Sequence, residues 1–268
     1  MRIFWRVLLA LFLAFIIAGA ALVATFPQES LAYYRSIKKQ TIRYFYPKKK
    51  STRYTTFKAH LPTDYNIHGI DVSFYQGEID WDTVRAMKIK TDSITFAFVK
   101  ATEGDYYTDK YFAYNWEETK RVGVLRGAYH YFRPDKDAAE QAYHFIRKVQ
   151  IEEGDLPPVL DIEETRDVKP EELREMLKVF LDIWEKHYNI TPIIYTSRAF
   201  YEANLGKDFR RYPLWVAQYK NLKTPRIRGH KWLFWQHSYE ATVNGIEPLV
   251  DLNVFAGELQ DLKNLCKK

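Results

Sequence analysis

Hydrophobic and polar positions divide the chain into three zones. Residues 7–26 carry no charge, and Arg2 and Arg6 precede them. About 20 such residues are enough to span a bilayer, and the flanking arginines predict a cytoplasmic N-terminus. A cleaved signal peptide competes with this reading, because Ala18-Gly19-Ala20 resembles a small-residue cleavage site. The run is longer than a usual signal core, which favours an uncleaved membrane anchor over residues 1–27. On either reading the remainder is exported. Residues 28–65 form a linker arm in which basic and aromatic residues intermix.

From residue 66 onward, short apolar runs alternate with amphipathic stretches. Runs of this length bounded by turn residues read as buried strands. They predict strands at 67–73, 94–101, 124–132, 159–162, 192–196, 214–219, 232–237 and 249–255. Helices are predicted at 81–88 with Asp80 as N-cap, at 110–121 closed by Gly123, at 137–149 and at 170–187. Pro170 suits the first turn of the last of these, and a short helix is expected at 197–204. Eight strands with helices between the early ones predict an α/β fold, an irregular (β/α)8-like barrel of the TIM type. The connections from the sixth to the eighth strand are too short and too rich in Gly and Pro for full helices, so the late strands are expected to be hairpin-like. The globular domain is placed at 66–262, with a tail at 263–268.

Composition narrows the function classes. Aromatic residues make up 16 % of the 268, with seven Trp and twenty Tyr. Such rings fill a core and also stack on sugar faces. Cys266 is the single cysteine, so neither an intrachain disulfide nor a Cys/His metal cluster can be built. The seven His show no His-Glu-x-x-His spacing, which argues against a zinc protease. No cofactor motif is present. The net charge of +6 is unevenly spread: residues 1–60 hold eleven Lys or Arg and one acid, Glu29. The other 29 basic and 33 acidic residues leave the domain mildly acidic, which argues against nucleic-acid binding. The basic arm suits anionic headgroups or an anionic wall polymer, and a solvated spacer fits it equally. With the N-terminus in the cytoplasm the arm lies outside, the side that usually carries fewer positive charges.

The chemistry collects around L-P-P-V-L-D-I-E-E at residues 156–164. Asp161 and Glu163 stand two apart at the end of a short apolar run, so a strand would project both carboxylates from one face. Two adjacent acids repel, and one tends to keep its proton near neutral pH, the arrangement that glycosidic cleavage uses. Other polar residues fall at strand ends: Asp71, Glu103, Tyr129, Tyr131, Tyr195, Gln218, Gln236 and Asp251. In a barrel those ends converge on one face. Clustered acids cost stability unless something uses them.

Eight motifs recur in order: G-I-D-V-S-F-Y-Q-G-E-I-D-W, F-V-K-A-T-E-G, G-A-Y-H-Y-F, P-V-L-D-I-E, I-Y-T, L-W-V-A-Q-Y, W-Q-H-S and V-D-L-N-V-F. Together they resemble glycoside hydrolase family 25, the Chalaropsis-type lysozymes, over residues 67–255 but not over the anchor or arm. The resemblance implies hydrolysis of the β-1,4 bond between N-acetylmuramic acid and N-acetylglucosamine in peptidoglycan, by a monomer without cofactor or metal. It implies that Glu163 is the proton donor, Asp161 its partner acid, and Asp71 and Asp251 further site acids. Tyr129, Tyr131, Tyr195, Trp215 and Gln236 match positions near the sugar, and Glu103 joins the substrate-binding candidates. Tyr219 and Trp235 are equally good core residues.

Three mechanisms remain open at this stage: a carboxylate nucleophile, a base-activated water, or attack by the substrate's own acetamido group with Asp161 orienting it. The acetamido route is preferred, because the implied substrate carries that group. A chitinase-like barrel is the nearest alternative enzyme, but its D-x-D-x-E signature would need an acid at Val159. A catalytically inactive wall-binding module is the alternative from another class, and the presence of all four acids speaks against it.

Overall fold

A computed structural model describes residues 51–54, 59–62, 64–89, 92–219 and 224–268. The apolar run at 7–26 and most of the basic arm lie outside the described residues. Among those described, no helix is long and apolar enough to cross a membrane. The compact unit begins at Lys50, so it takes in a small antiparallel pair, β1 (Ser51–Tyr54) and β2 (Ala59–Pro62), that sequence reading assigned to the arm.

The elements then follow as β3 (Ile67–Val72), α1 (Trp81–Ala86), β4 (Lys88–Ile89), β5 (Asp92–Glu103), β6 (Tyr107–Thr108), α2 (Phe112–Arg121) and β7 (Leu125–Tyr131). After these come α3 (Ala138–Lys148), β8 (Val159–Asp161), α4 (Pro170–Tyr188), β9 (Ile193–Ser197), α5 (Arg198–Phe200), β10 (Leu214–Ala217), β11 (Phe234–Val243), β12 (Ile246–Phe255) and α6 (Leu259–Leu265). Eight strands close a barrel in the order β3, β5, β7, β8, β9, β10, β11, β12 and back to β3. Neighbours from β3 through β11 run parallel, whereas β12 is antiparallel to both β11 and β3. The barrel and its hairpin closure agree with the sequence expectation.

Local chemistry sets the helix limits. Asp80 accepts from the Thr83 amide at 3.0 Å and Asp137 from the Glu140 amide at 2.9 Å, each satisfying an orphan N–H of a first turn. Pro170 opens α4, and Asn189 closes it in the left-handed region at φ 52°. Leu173, Leu177, Phe180, Leu181, Trp184 and Tyr188 form the buried stripe of α4 at helical spacing.

β11 and β12 run further than their apolar cores suggest, ten residues each. Val243 pairs with Ile246 across Asn244-Gly245, so the hairpin continues past the barrel proper. Gly245 has φ 92°, and a Cβ there would meet the Asp80 carbonyl oxygen at 2.5 Å, so both conformation and space require glycine.

The core has two layers. The larger lies between barrel and helices. The smaller fills the barrel at the N-terminal ends of the parallel strands with Phe96, Phe98, Trp215, Phe234 and Phe255. Phe98 stacks on Trp215 with centroids 4.4 Å apart, and Phe234 touches Phe96 and Phe98 edge-on, each at 5.2 Å. These rings fit because two strands carry glycine opposite them. A Cβ on Gly127 would lie 2.6 Å from the Phe98 ring, and one on Gly69 would overlap Phe96. Leu262 and Cys266 seal this end, and Lys267 bonds its backbone to Gly154 and Asp155. The last residues are therefore part of the packed domain.

Candidate active site

With one end of the barrel filled by aromatic rings, the acids occupy the other. Asp71 lies one residue from the end of β3, directly opposite Asp251 of β12 in the antiparallel register. Because β12 runs against its neighbours, Asp251 comes from the middle of its strand. It does not come from a C-terminal end, as a uniformly parallel barrel would require.

Asp71 is 7 % exposed and surrounded by donors. The Gln236 amide donates to its two oxygens at 3.0 and 2.9 Å, and the Asn253 amide donates to Oδ2 at 2.7 Å. Those amides are oriented in turn. Gln236 Oε1 accepts from the Tyr195 hydroxyl at 2.7 Å and the Tyr219 hydroxyl at 2.5 Å, while Asn253 Oδ1 accepts from Trp215 Nε1 at 2.8 Å. The Asp71 carboxylate only accepts, so each amide turns its NH2 to it and leaves its oxygen to accept from the phenols or the indole. Burial raises the Asp71 pKa against the pull of Asn253, Gln236 and Asp251, which hydrogen-bond it. Burial, and then the Asp71 charge, push Asp251 up to about 9. Asp71 is thus the ionised member of the pair and Asp251 the one that holds the proton.

Asp161 is the last residue of β8 and is 6 % exposed. Its buried Oδ1 meets no hydrogen-bond donor from the protein. Burial first, and the Glu163 charge second, hold its carboxyl well above the usual carboxylate range, opposed by the Lys100 ammonium. One further ladder bond joins the Ile162 amide to the Tyr195 carbonyl at 3.0 Å. Glu163 then begins a loop, so the shared strand face expected for the pair ends at Asp161. The carboxylates are neighbours all the same: the Glu163 charge raises Asp161, and the Asp71 charge raises both. Glu163 reaches solvent, yet desolvation on its protein side raises its pKa, followed by the charges of Asp71 and Glu164.

The four acids expected to converge therefore do so. The other candidates divide. Tyr129 is half-buried and lines a cavity of about 320 Å³ with Asp71, Asp251, Tyr75, Tyr239 and Leu249. Tyr131 is half-buried and carries the Lys100 and Arg133 cations over its ring, each 5.0 Å from the centroid. Tyr195 and Gln236 are buried and act on Asp71. Trp215 is 2 % exposed and offers no face to a sugar. It lies in the aromatic layer beneath and holds Asn253. Glu103 is engaged by Lys100 at 2.7 Å and by Arg133 Nε at 2.8 Å, so its carboxylate is already occupied.

Sequence reasoning missed Asn253, Lys100 and Arg133, and left Tyr219 undecided. Asn253 stands two residues after Asp251 in V-D-L-N, on the same strand face. Lys100 interrupts the apolar run F-A-F-V-K-A, and a charge inside a buried strand asks for a partner. Arg133 gives no such signal, because it lies in a loop.

The site thus holds one solvent-reaching carboxyl with a raised pKa, one buried carboxyl with an oxygen that no protein donor meets, and an oriented pair. Comparison with known proteins gives the family. The model of glycosyl hydrolases family 25 matches residues 70–246. Protein YegX of Escherichia coli (strain K12) is 40 % identical over 245 residues, covering 91 % of this chain and 89 % of its own length. Lysozyme M1 of Streptomyces globisporus is 31 % identical over 206 residues, 71 % of this chain and 68 % of its own. The structure of a family 25 glycosyl hydrolase from Bacillus anthracis superposes with a TM-score of 0.69 at 34 % identity, over 76 % of this chain and 95 % of that one. This chain belongs to glycosyl hydrolases family 25 and is a glycoside hydrolase.

Proposed function

We propose that the protein hydrolyses the β-1,4 bond between N-acetylmuramic acid and N-acetylglucosamine in peptidoglycan. The lysozymes and muramidases among its relatives support that substrate class. Glu163 protonates the leaving oxygen, for which its raised pKa suits it. The observation that carries the rest is Asp161 Oδ1, a buried oxygen with no donor from the protein. An acetamido N–H from the sugar supplies that donor. Asp161 then holds the acetamido group so that its oxygen attacks the anomeric carbon as the bond to the leaving sugar breaks. The product is an oxazolinium-like intermediate, which water opens with retention of configuration. Tyr129 and Tyr131 flank the sugar, and the Asp71–Asp251 pair fixes the opposite wall.

Proton NMR of the first-formed reducing end tests this, read before mutarotation. A β-anomer is expected; an α-anomer would mean inversion and would transfer the second catalytic role to Asp71 or Asp251. Muropeptide release from purified walls tests the substrate.

We further propose that residues 7–26 hold the protein in a membrane with the catalytic domain outside the cytoplasm. This rests on the uncharged run and the arginines before it. Detergent, and not high salt, should release the full-length protein from membranes. Release by salt alone would assign attachment to the basic arm.

A further inference from the structure

The charge of the domain reverses in one place. Residues 206–231 carry eight Lys or Arg and one acid, Asp208, whereas the rest of residues 61–268 holds 21 basic and 32 acidic residues. The fold gathers these cations at one end of the barrel. The parallel strands point their C-terminal ends at the acids, so the residues just before each strand lie at the opposite, aromatic-filled end. Lys207 and Arg210 precede β10, and Arg226, Arg228 and Lys231 precede β11. All five are exposed. The two segments meet: a Cβ on Gly229 would lie 2.5 Å from Arg210 Nη2, so that guanidinium rests across the turn at 226–231. The turn is pinned in shape. Trp232 Nε1 donates to the Pro225 carbonyl at 2.9 Å, and the His230 amide donates to the Ile227 carbonyl at 3.3 Å. Pro225 and Ile227 are buried, and Arg226 and Arg228 beside them face out.

The acids nearby are already engaged. Asp208 lies 3.4 Å from the Lys178 ammonium, and Glu185 accepts from Arg211 Nη1 at 3.0 Å. Among the described residues no carboxylate pairs with any of the five cations. Like charges held together repel unless a partner of opposite sign answers them. The path of the chain points to that partner. Tyr65, two residues before β3, packs edge-on against Trp232 with centroids 5.5 Å apart. The polypeptide therefore enters the barrel next to Lys231. Upstream lie the basic arm and the uncharged run at 7–26, with 23 residues between that run and the compact unit that begins at Lys50. A tether of that length reaches at most about 80 Å and holds the domain at a high effective concentration near its anchor. The cations thus occupy the end at which the chain enters, and the acids occupy the other.

We propose that Lys207, Arg210, Arg226, Arg228 and Lys231 dock the aromatic-filled end of the barrel on the anionic phospholipid headgroups of the membrane that holds residues 7–26, so that the site opens away from that membrane. The docking rests on the membrane-held reading above. Exposed Lys and Arg beside an anionic lipid surface are attracted to it within about a Debye length, each adding to the others. Among the described residues of 206–212 and 224–231 no large apolar side chain is exposed. The contact is therefore one of charge, without insertion, and it weakens with salt.

The experiment is amide hydrogen exchange of the full chain reconstituted into vesicles, either phosphatidylglycerol mixed with phosphatidylcholine or phosphatidylcholine alone. Exchange at 224–231 should slow several-fold on the anionic vesicles relative to the neutral ones, with no change at 73–78 beside the acids. High salt should remove the difference. Arg226→Gln, Arg228→Gln and Lys231→Gln combined should abolish it, whereas Arg226→Lys with Arg228→Lys should keep it. Equal exchange on the two kinds of vesicle would overturn the proposal, and so would a slowing that the triple variant retains. Soluble polyphosphate that slows the turn where anionic vesicles do not would overturn it too, and would give the patch to a dissolved polyanion. Anchoring is read separately, from whether the protein stays with the vesicles in high salt. If it leaves them, residues 7–26 are no anchor, and flotation with anionic vesicles at low salt decides the docking. The triple variant should then bind roughly a hundredfold more weakly than wild type, and equal binding would refute the patch on its own.

Discussion

The two halves of the site solve the problem of buried carboxylates in opposite ways. Around Asp71 the protein supplies the donors. Two amides, each fixed by its own phenol or indole donors, hold the charge, and Asp251 keeps the shared proton. Around Asp161 one buried oxygen is left without a donor and a second acid crowds it. The first arrangement is complete in the free protein and serves as a rigid wall. On the function proposed above, the acetamido N–H of the substrate completes the second. An unmet acceptor costs roughly 1–3 kcal/mol of stability, so it marks where the fold holds binding energy in reserve for the substrate. Removing a carboxylate should therefore weaken the fold on one side and spare or strengthen it on the other, while activity suffers on both.

The largest effect is expected at Glu163. Glu163→Gln keeps shape and hydrogen-bonding capacity but cannot deliver a proton, so turnover should fall by about 10²–10⁴-fold. Thermal stability should stay at or slightly above wild type, because a charge crowded by Asp71 and Glu164 is gone. Release of reducing ends from walls and a melting curve measure the two. Near wild-type clearance by the purified variant would remove Glu163 from the chemistry.

The next test sets the halves against each other. Asp71→Asn takes the charge from beneath two amide donors, and hydrogen bonds to charged groups are worth about 1.5–3 kcal/mol each. A drop in Tm of several degrees is expected, since a 1 kcal/mol change moves a domain of this size by about 2–4 °C. Asp161→Asn removes a buried carboxylate whose Oδ1 meets no donor from the protein, so Tm should hold or rise while kcat falls. Equal destabilisation by the two variants would erase the contrast. A smaller effect belongs to Trp215→Phe, which keeps the stacking on Phe98 but drops the bond to Asn253. It should cost about 1 kcal/mol and loosen Asp71 with only a modest change in turnover.

Much of this was legible in the sequence, because buried strands are short apolar runs and eight of them set a barrel. Depth within the barrel was not. Trp215 and Gln236 both point inward, and alternation along a strand gives the face without saying how far along the axis the side chain sits. The register decides it: Trp215 lies level with Tyr195 and Phe234, and Gln236 lies level with Ala217 and Asn253. The indole therefore falls in the aromatic layer and the amide among the acids. Glu103 misled for a related reason. Its claimants are Lys100, three residues earlier, and Arg133, in a loop thirty residues on, and spacing alone does not bring that loop to the strand end. The lengths of β11 and β12 were underread although Asn244-Gly245 stood in plain view. It is a hairpin signal, but the flanking residues alternate too weakly to stand out as strand.

The smallest expected effect concerns pH and stability, and it sharpens the contrast without touching substrate. Asp161, Glu163 and Asp251 all have folded-state pKa values raised above those of an unfolded chain, Asp251 to about 9. A carboxyl raised in this way binds its proton more tightly when folded, so the native state holds more protons than the unfolded state between the two pKa values. Stability is then greatest below the unfolded carboxylate range and declines as pH rises from about 4 toward the folded values. This is the reverse of the behaviour of a salt-bridged acid. Glu103 and Glu164, whose pKa values are lowered, work the other way but only at the acid end. Above pH 5 the net expectation is a loss of unfolding free energy as pH rises toward 8, measurable by urea denaturation at a series of pH values. Asp251→Asn should flatten the upper part of that slope, because it removes the group whose titration reaches furthest. Asp161→Asn should flatten it as well and raise its upper part, because the buried charge no longer forms there. A stability that climbs with pH in the wild type would mean that these acids are ionised without strain, and the distinction between the two halves of the site would fall with it.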